Sequence, residues 1–345
     1  MVKRTSQFLS GPGFTLIELL VVIGIITLLL GFLATGMQAF RRRANDLRQK
    51  AHFHAIEVGL ELFYKDYDDY PDSEVLPDDN PTSSDLVCGA QHLAEALLGR
   101  DLRGFDPKTW WCAPKEALAT GTEIYARTEI YARDEKGSTQ SEIKASEARR
   151  WGPYIELKKD MNVLVMEILY GVGNCGDVYP SEKNPADSGK RPYRSPVFVD
   201  IFRQKRVTLD NGDFVRVGTP VLYYKAKTSS RLFRKENDPE TDINEADHRK
   251  WIYNYEDNRG IIELGTVKDT TVKHLFDENH PELDETKKGT PLFYETITNP
   301  KVSRVDSTNP EKSDYKPFNA KKFILISAGR DGIFGTRDDI TNFDY

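Results

Sequence analysis

Apolar residues are concentrated near the start of this 345-residue chain. The stretch from Leu19 to Phe40 contains no charged residue. At about 1.5 Å rise per residue, a helix of this length extends roughly 33 Å, close to the thickness of the bilayer hydrocarbon. The pattern therefore predicts one membrane-spanning helix over residues 14–40. A cleaved signal peptide is the alternative, although its apolar region is normally only about 7 to 15 residues long.

The following residues, 41–70, predict an amphipathic continuation of the same helix. Two apolar rows recur at spacings of three and four residues. One row comprises Leu47, Ala51, Ala55, Val58 and Leu62, and the other comprises Phe53, Ile56, Leu60, Phe63 and Tyr67. Together they predict a broad face that packs against a globular domain. We expect the helix to end at Tyr70–Pro71, because a residue before proline disfavours helix. His52 and His54 are expected to be packed or solvated side chains.

The remaining chain predicts an α+β domain with insertions. Residues 71–160 combine a polar loop, a short helix over "LVCGAQHLAEALLGR" and an insertion that contains the duplicated "TEIYARTEIYAR". Residues 161–345 predict mainly β structure, with decorating loops and an extra strand pair between about 225 and 321. The apolar β-type segments are "NVLVMEILY", "SPVFVDIF", "TPVLYYKA" and "FILI", and "RVTLDNGDFVRV" carries the Asn211–Gly212 hairpin signal.

Glu18 is unusual because it lies near the start of the apolar run. An ionisable residue inside a membrane span is costly unless it meets a partner, so it is a functional-site hypothesis. Cleavage between Gly13 and Phe14 would create an α-amine close to this carboxylate. On a helix, Glu18 would more naturally meet the amine of a neighbouring subunit.

The segment "GFTLIELLVVIGII" resembles the class III signal of type IV pilins and type II secretion pseudopilins. The resemblance implies that residues 1–13 are a leader that prepilin peptidase removes after Gly13. It also implies that Phe14 becomes the methylated N-terminus and that Glu18 acts in filament assembly. The implied fold is the pilin fold, a long N-terminal helix packed on an antiparallel sheet domain.

The C-terminal segment "SAGRDGIFGTRDDI" combines glycines with the carboxylates of Asp331, Asp338 and Asp339. Hard cations such as calcium bind six to eight oxygens, whereas an isolated turn of this composition usually has solvated acids. The segment also resembles the calcium loop of the major pseudopilin of type II secretion systems. That resemblance implies calcium as the cofactor, with the three aspartates as side-chain ligands and the carbonyls of Ala328 and Ile333 as backbone ligands.

Charge and cysteine content exclude some functions. Residues 1–43 carry a net charge of +4 and the remainder −10, which argues against nucleic acid as a partner. Cys88, Cys112 and Cys175 allow one disulfide, whose connectivity the sequence does not determine. We found no cysteine and histidine cluster typical of zinc and no catalytic set, so an enzyme is not expected.

These patterns and resemblances predict a structural subunit of a type II secretion pseudopilus. Its expected partners are copies of itself, other pseudopilins, the inner-membrane secretion platform and prepilin peptidase. The expected location is the bacterial inner membrane, with a single span and a periplasmic domain, although Arg41–Arg43 favour the opposite orientation. The alternatives are a type IV pilin, a minor or tip pseudopilin, and a signal-anchored periplasmic calcium-binding enzyme or binding protein.

Overall fold

The computed structural model describes residues 14–73, 88–99, 102–105, 140–157, 163–170, 196–208, 212–231, 233, 251–281, 283, 288–304 and 313–343. The chain divides into two compact units, Met1–Leu47 and Arg48–Tyr345. The predicted leader, the duplicated hexapeptide, the Asn211 turn position, Cys112 and Cys175 lie outside the described residues.

The described residues form helices and short antiparallel strands, which confirms the α+β class. The helices are α1 (Leu16–Tyr67), α2 (Gly89–Leu98), α3 (Gln140–Arg149), α4 (Met166–Tyr170), a 3-10 helix (Tyr255–Asn258), α5 (Arg259–Glu263) and α6 (Gly289–Thr296). The strands are β1 (Val163–Val165), β2 (Pro196–Phe198), β3 (Lys205–Thr208), β4 (Phe214–Val217), β5 (Leu222–Lys225), β6 (Phe323–Ser327) and β7 (Ile340–Thr341).

The membrane span predicted over residues 14–40 is wrong. None of the described helices combines the length and the apolar character that crossing a bilayer requires. The single-pass inner-membrane location that followed from this prediction is therefore also wrong. The prediction relied on the absence of charge between Leu19 and Phe40, a criterion that does not separate a helix covered by lipid from one covered by protein.

A three-stranded sheet in the order β5-β6-β7 lies at the centre of the Arg48–Tyr345 unit. Strand β6 is buried along its whole length, as expected for a continuous apolar run covered on both faces. Because side chains alternate between the faces of a strand, Phe323 and Leu325 join one hydrophobic cluster while Ile324 and Ile326 join the other. Strand β5 alternates in the same way.

The first cluster contains one face of α1, most of the apolar residues of α2 and one face of the sheet. Phe53, Ile56 and Leu60 are fully buried there. The second cluster covers the other face of the sheet with residues from the 252–297 segment, including Tyr255, Phe276 and Phe293. In its described part this segment forms short helices. Where an extra strand pair was expected, the described residues between 225 and 321 show isolated bridges such as Arg304 to Asp314.

Several local predictions can be compared directly with the strands and helices. Helix α2 and strands β2, β3, β4, β5 and β6 lie where the pattern predicted them. The segment "NVLVMEILY" was predicted as one strand, but only Val163–Val165 is extended and Met166–Tyr170 is helical. The register of β3 and β4 confirms an antiparallel hairpin, but Thr208 lies opposite Phe214, which does not fit the two-residue turn that Asn211–Gly212 predicted.

The two apolar rows of α1 differ in their burial. The row from Phe53 to Phe63 is core, as predicted. The other row was also predicted to be core, but Leu47, Val58 and Leu62 are 62%, 47% and 45% exposed. A helix that packs on one sheet buries only the stripe that faces it, so the prediction of one broad buried face was too wide.

We predict that truncations of two leucines on α1 will have very different effects. Leu60→Ala should lower the free energy of unfolding by about 2–5 kcal/mol, because it leaves a cavity in the cluster beneath the sheet. The matched Leu62→Ala should change it by less than about 0.5 kcal/mol, since Leu62 is exposed in the single chain. Urea unfolding followed by circular dichroism measures both values, and equal losses would contradict this packing of α1.

Candidate functional site

Two segments that the sequence singled out belong to different units, and each is described by itself. The first is the start of α1, with Phe14 and Glu18. The second is the loop from Ala328 to Asp339 between β6 and β7. Gly13 lies outside the described residues, so its predicted role in processing stays a prediction.

Glu18 forms a capping box at the start of α1. Its backbone N–H donates to Thr15 Oγ1 at 3.3 Å, and its Oε2 accepts the Thr15 backbone N–H at 2.9 Å. The Thr15 hydroxyl also donates to Oε2 at 2.7 Å. These contacts satisfy donors that a helix start otherwise leaves unpaired. The carboxylate therefore has a local role that our sequence reasoning missed, although the Thr-x-x-Glu spacing signals it.

Around Glu18 the apolar side chains of α1 remain in contact with solvent in the single chain. Phe14 is 82% exposed and Leu16 is 81% exposed. The lowest exposure among the large apolar residues from Leu16 to Leu30 is 46%, at Val22. This surface surrounds the helix and does not form a single stripe.

The loop after β6 is organised by Asp338. Its Oδ2 accepts backbone N–H groups of Arg330 at 2.7 Å and Asp331 at 3.1 Å, and its Oδ1 accepts the Thr336 hydroxyl at 2.6 Å. The loop passes so close to itself that a Cβ at Gly329 would collide with the Asp338 carbonyl. Gly329 also has φ +63°, a conformation that glycine adopts without penalty.

The pKa values of the three aspartates of the loop are shifted in different directions. Burial raises the pKa of Asp331, and the adjacent Asp338 carboxyl raises it further. Burial alone would raise the pKa of Asp338, but hydrogen bonds from Thr336, Asp331 and the backbone lower it overall. Burial, with the charges of the other two aspartates, raises the pKa of Asp339 well above its usual range. The three carboxyls are thus close enough to influence one another.

Asp339 has one oxygen without a partner. Its Oδ2 accepts the Gly335 N–H at 2.7 Å. Its Oδ1 is buried and meets no hydrogen-bond donor among the described residues. A buried polar atom in this state costs about 1–3 kcal/mol, so an additional ligand at this position would be favourable.

The oxygen atoms of this loop can be compared with the ligands that calcium requires. Within the described part of the chain, no three histidine, cysteine or acidic side chains are grouped in a way that would hold a metal ion. Calcium also uses backbone carbonyls and water, and the unpartnered Asp339 oxygen beside two further carboxyls fits its preference for oxygen ligands. Of the predicted carbonyl ligands, Ala328 is buried directly after β6, and the Ile333 carbonyl oxygen lies 3.3 Å from the Thr336 hydroxyl oxygen. Calcium at this loop stays a prediction.

His274 fixes the middle of the loop, a role that the sequence did not indicate. Its Nδ1 accepts the Phe334 N–H at 3.1 Å, and its Nε2 lies 3.0 Å from the Gly265 carbonyl, which requires the proton on Nε2. Burial lowers the pKa of His274 to about 3, so the ring is neutral at pH 7. The Leu275 N–H donates to the Phe334 carbonyl at 2.9 Å. Through His274 and Leu275, the 252–297 segment therefore holds the loop between Asp331 and Asp338.

Asp200 fixes the beginning of the loop and was also missed. It is fully buried, accepts the Ser327 hydroxyl at 3.1 Å, and accepts backbone N–H groups of Phe202 and Thr219. A Cβ at Gly218 would collide with its carboxylate, which explains the glycine in the "GTPVLYY" segment. Burial raises the pKa of Asp200 well above its ordinary value.

His52, for which no metal role was expected, is packed against the core. It is 9% exposed and contacts the ring of Phe198. Burial lowers its pKa to about 4. His54, two residues along the helix, is exposed.

Comparisons of this chain with protein-family models, with curated proteins and with solved structures found no match.

We predict that Asp339→Asn will stabilise the chain in the absence of calcium. A carboxyl with a raised pKa in the folded state favours folding below its unfolded pKa, and this contribution is lost as the pH rises toward the folded pKa. Ionisation of Asp339 is therefore unfavourable to the folded state, and the neutral amide should raise the free energy of unfolding at pH 7 by about 1–3 kcal/mol.

The dependence of stability on calcium gives a second measurement on this variant. The unsubstituted chain should gain stability in proportion to RT ln(1 + [Ca²⁺]/Kd), while Asp339→Asn should gain little. Thermal unfolding with calcium and with a chelator, at pH 5 and pH 7, measures both effects. Loss of stability in the calcium-free variant at pH 7 would contradict this description of Asp339.

Proposed function

We propose that this chain is a structural subunit of a filament of the type II secretion pseudopilus class, assembled through α1. The exposed apolar surface from Leu16 to Leu30 carries the proposal. Monomeric soluble proteins rarely expose contiguous apolar patches larger than a few hundred Å². A larger surface of this kind marks a place where another molecule packs.

Copies of the same chain are the occupant that suits this surface best. A helix that is apolar all round can be covered on every side by identical helices. If each copy meets the next through two different surfaces, the contact is heterologous and can repeat into an open filament. The resemblance of "GFTLIELLVVIGII" to pilin and pseudopilin signals supports this choice. In the same proposal, prepilin peptidase cuts after Gly13 and the filament acts in protein export.

Glu18 has two roles in the proposed function. In the single chain it caps α1 through Thr15. In the filament it also pairs with the amine of Phe14 from a neighbouring copy. A buried pair of this kind gives register more than net stability.

Calcium has a supporting role in the proposal. It would bind at Asp331, Asp338 and Asp339, supply positive charge there and keep the loop folded. The carbonyls of Ala328 and Ile333 are the proposed backbone ligands. The pilin fold is the corresponding fold proposal, supported by the packing of one stripe of α1 on an antiparallel sheet.

We predict that Glu18→Gln will separate the two roles of this residue. Glutamine also completes a capping box, so the start of α1 should be retained. The charge is lost, so assembly of the processed chain should fall at least about tenfold if the carboxylate pairs with an amine. Pelleting and electron microscopy of chain produced with prepilin peptidase measure assembly.

Thr15→Ala is the matched control, because it removes the hydroxyl of the cap and keeps the Glu18 charge. It should assemble better than Glu18→Gln. If Glu18→Gln assembles normally while Thr15→Ala does not, Glu18 acts only as a cap and the assembly role is wrong. If the unsubstituted processed chain stays monomeric at all concentrations, the proposed function is wrong.

A further inference from the structure

The β3–β4 hairpin has two faces with different chemistry. Val207, Val215 and Val217 pack toward the second cluster. Arg206, Thr208, Phe214 and Arg216 lie on the opposite face, which is exposed. We call these four residues the basic face.

Two arginines stand directly opposite each other on the basic face. Arg206 is the register partner of Arg216. Like charges at directly opposed positions destabilise a strand pair. Neither guanidinium has a carboxylate within ion-pair distance among the described residues. The folded unit therefore carries an unfavourable arrangement here that an external anion would relieve.

Phe214 adds an aromatic group to the basic face. Its side chain is 61% exposed, and the guanidinium carbon of Arg206 lies 4.1 Å from the ring centroid. Stacking holds the planar guanidinium in place, which lowers the entropy lost when it binds a carboxylate. The face is thus suited to a surface that offers both carboxylates and aromatic rings.

Such a surface exists elsewhere in the same unit. Asp66 and Asp68 are exposed at the end of α1. Beside them Trp151 is 51% exposed, and its ring lies 6.2 Å from that of Tyr67. Tyr154 donates its hydroxyl to Asp66 at 2.8 Å. We call these five residues the aromatic–acidic end.

The charge around the aromatic–acidic end favours a cationic partner. Residues 66–73, the described part of this segment, contain four carboxylates and no lysine, arginine or histidine. Four cationic side chains near this part of the unit have partners within it. Lys225 pairs with Asp69, Lys322 with Glu61 and Arg103 with Glu147, while Arg150 donates to Ser146.

The two surfaces do not pair within one chain. Among the described residues, neither Arg206 nor Arg216 forms an ion pair with Asp66 or Asp68. The Ile201 N–H, before the hairpin, donates to Gln49 Oε1 at 3.0 Å. Asp66 lies 17 residues further along α1, which corresponds to about 26 Å at 1.5 Å per residue. The partner of the basic face is therefore expected on another molecule.

We propose that the basic face of one copy docks on the aromatic–acidic end of the next copy. The two surfaces are different, so the contact is heterologous and repeats in one direction. This inference rests on the proposed filament function and identifies a contact between its globular units. The occupant is a second copy of this chain, because its own surface carries exposed carboxylates and an exposed aromatic ring that match the basic face.

Charge reversal tests the contact. Processed full-length chain carrying Arg206→Glu and Arg216→Glu should assemble at least about tenfold less well than the unsubstituted chain at low salt. Adding Asp68→Arg to that double variant should restore part of the loss, because the new arginine faces the new carboxylates. Arg231→Glu with Arg304→Glu is the matched control, since both arginines are exposed and the change in net charge is the same.

Critical concentrations from pelleting, at low and high salt, give the result. If the unsubstituted chain and the double variant assemble equally well, this contact is wrong and the filament proposal stands. If neither the unsubstituted chain nor any variant assembles, the proposed filament function is wrong. If circular dichroism shows that the double variant is unfolded, Arg206→Gln with Arg216→Gln replaces it and should also weaken assembly. Normal assembly of that folded variant would likewise overturn the contact.

Discussion

The Arg48–Tyr345 unit depends on the burial of strands β5 and β6 on both faces. Alternate residues of β6 enter two separate hydrophobic clusters, one shared with α1 and the other with the 252–297 segment. A strand covered on both sides fixes the positions of everything that packs on it. It also fixes where the chain leaves the sheet after Ser327, and thus where the acidic loop begins.

That origin explains how a loop with three aspartates keeps a defined shape. Asp200 holds its first residue through Ser327, Asp338 accepts the N–H groups of its first turn, and His274 holds Phe334. Each contact comes from a group that is buried or turned toward the loop interior. Among the buried side-chain atoms of this loop that the structure describes, Asp339 Oδ1 lacks a donor, so a bound cation would have most effect at this position.

The sequence predicted this fold where one physical signal dominated. Continuous apolar runs predicted β5 and β6, and the apolar periodicity predicted α2. The prediction from sequence failed where one residue pattern was compatible with two different structures. Absence of charge predicted a membrane span that the described helices do not support, and apolar spacing predicted burial for Val58 and Leu62, which are exposed.

The acidic loop was found from its composition, but its supports were not. Asp200 and His274 are distant in sequence from residues 328–339 and reach the loop only through the tertiary fold. No local pattern could have assigned them. The capping role of Glu18, in contrast, was present in the Thr-x-x-Glu spacing, and the costly-charge argument drew attention away from it.

In the proposed function, the exposed apolar segment of α1 and the surface of the globular unit both make contacts between copies. In the proposed filament, copies of the chain cover the apolar segment from Leu16 to Leu30, and their charged surfaces add a second repeating contact.

Helical reconstruction by electron cryo-microscopy of the chain processed after Gly13 tests this claim most directly. The account predicts an open filament in which the Leu16–Leu30 segments of neighbouring copies pack against one another. Closed rings, or monomers whose Leu16–Leu30 side chains remain exposed, would contradict it.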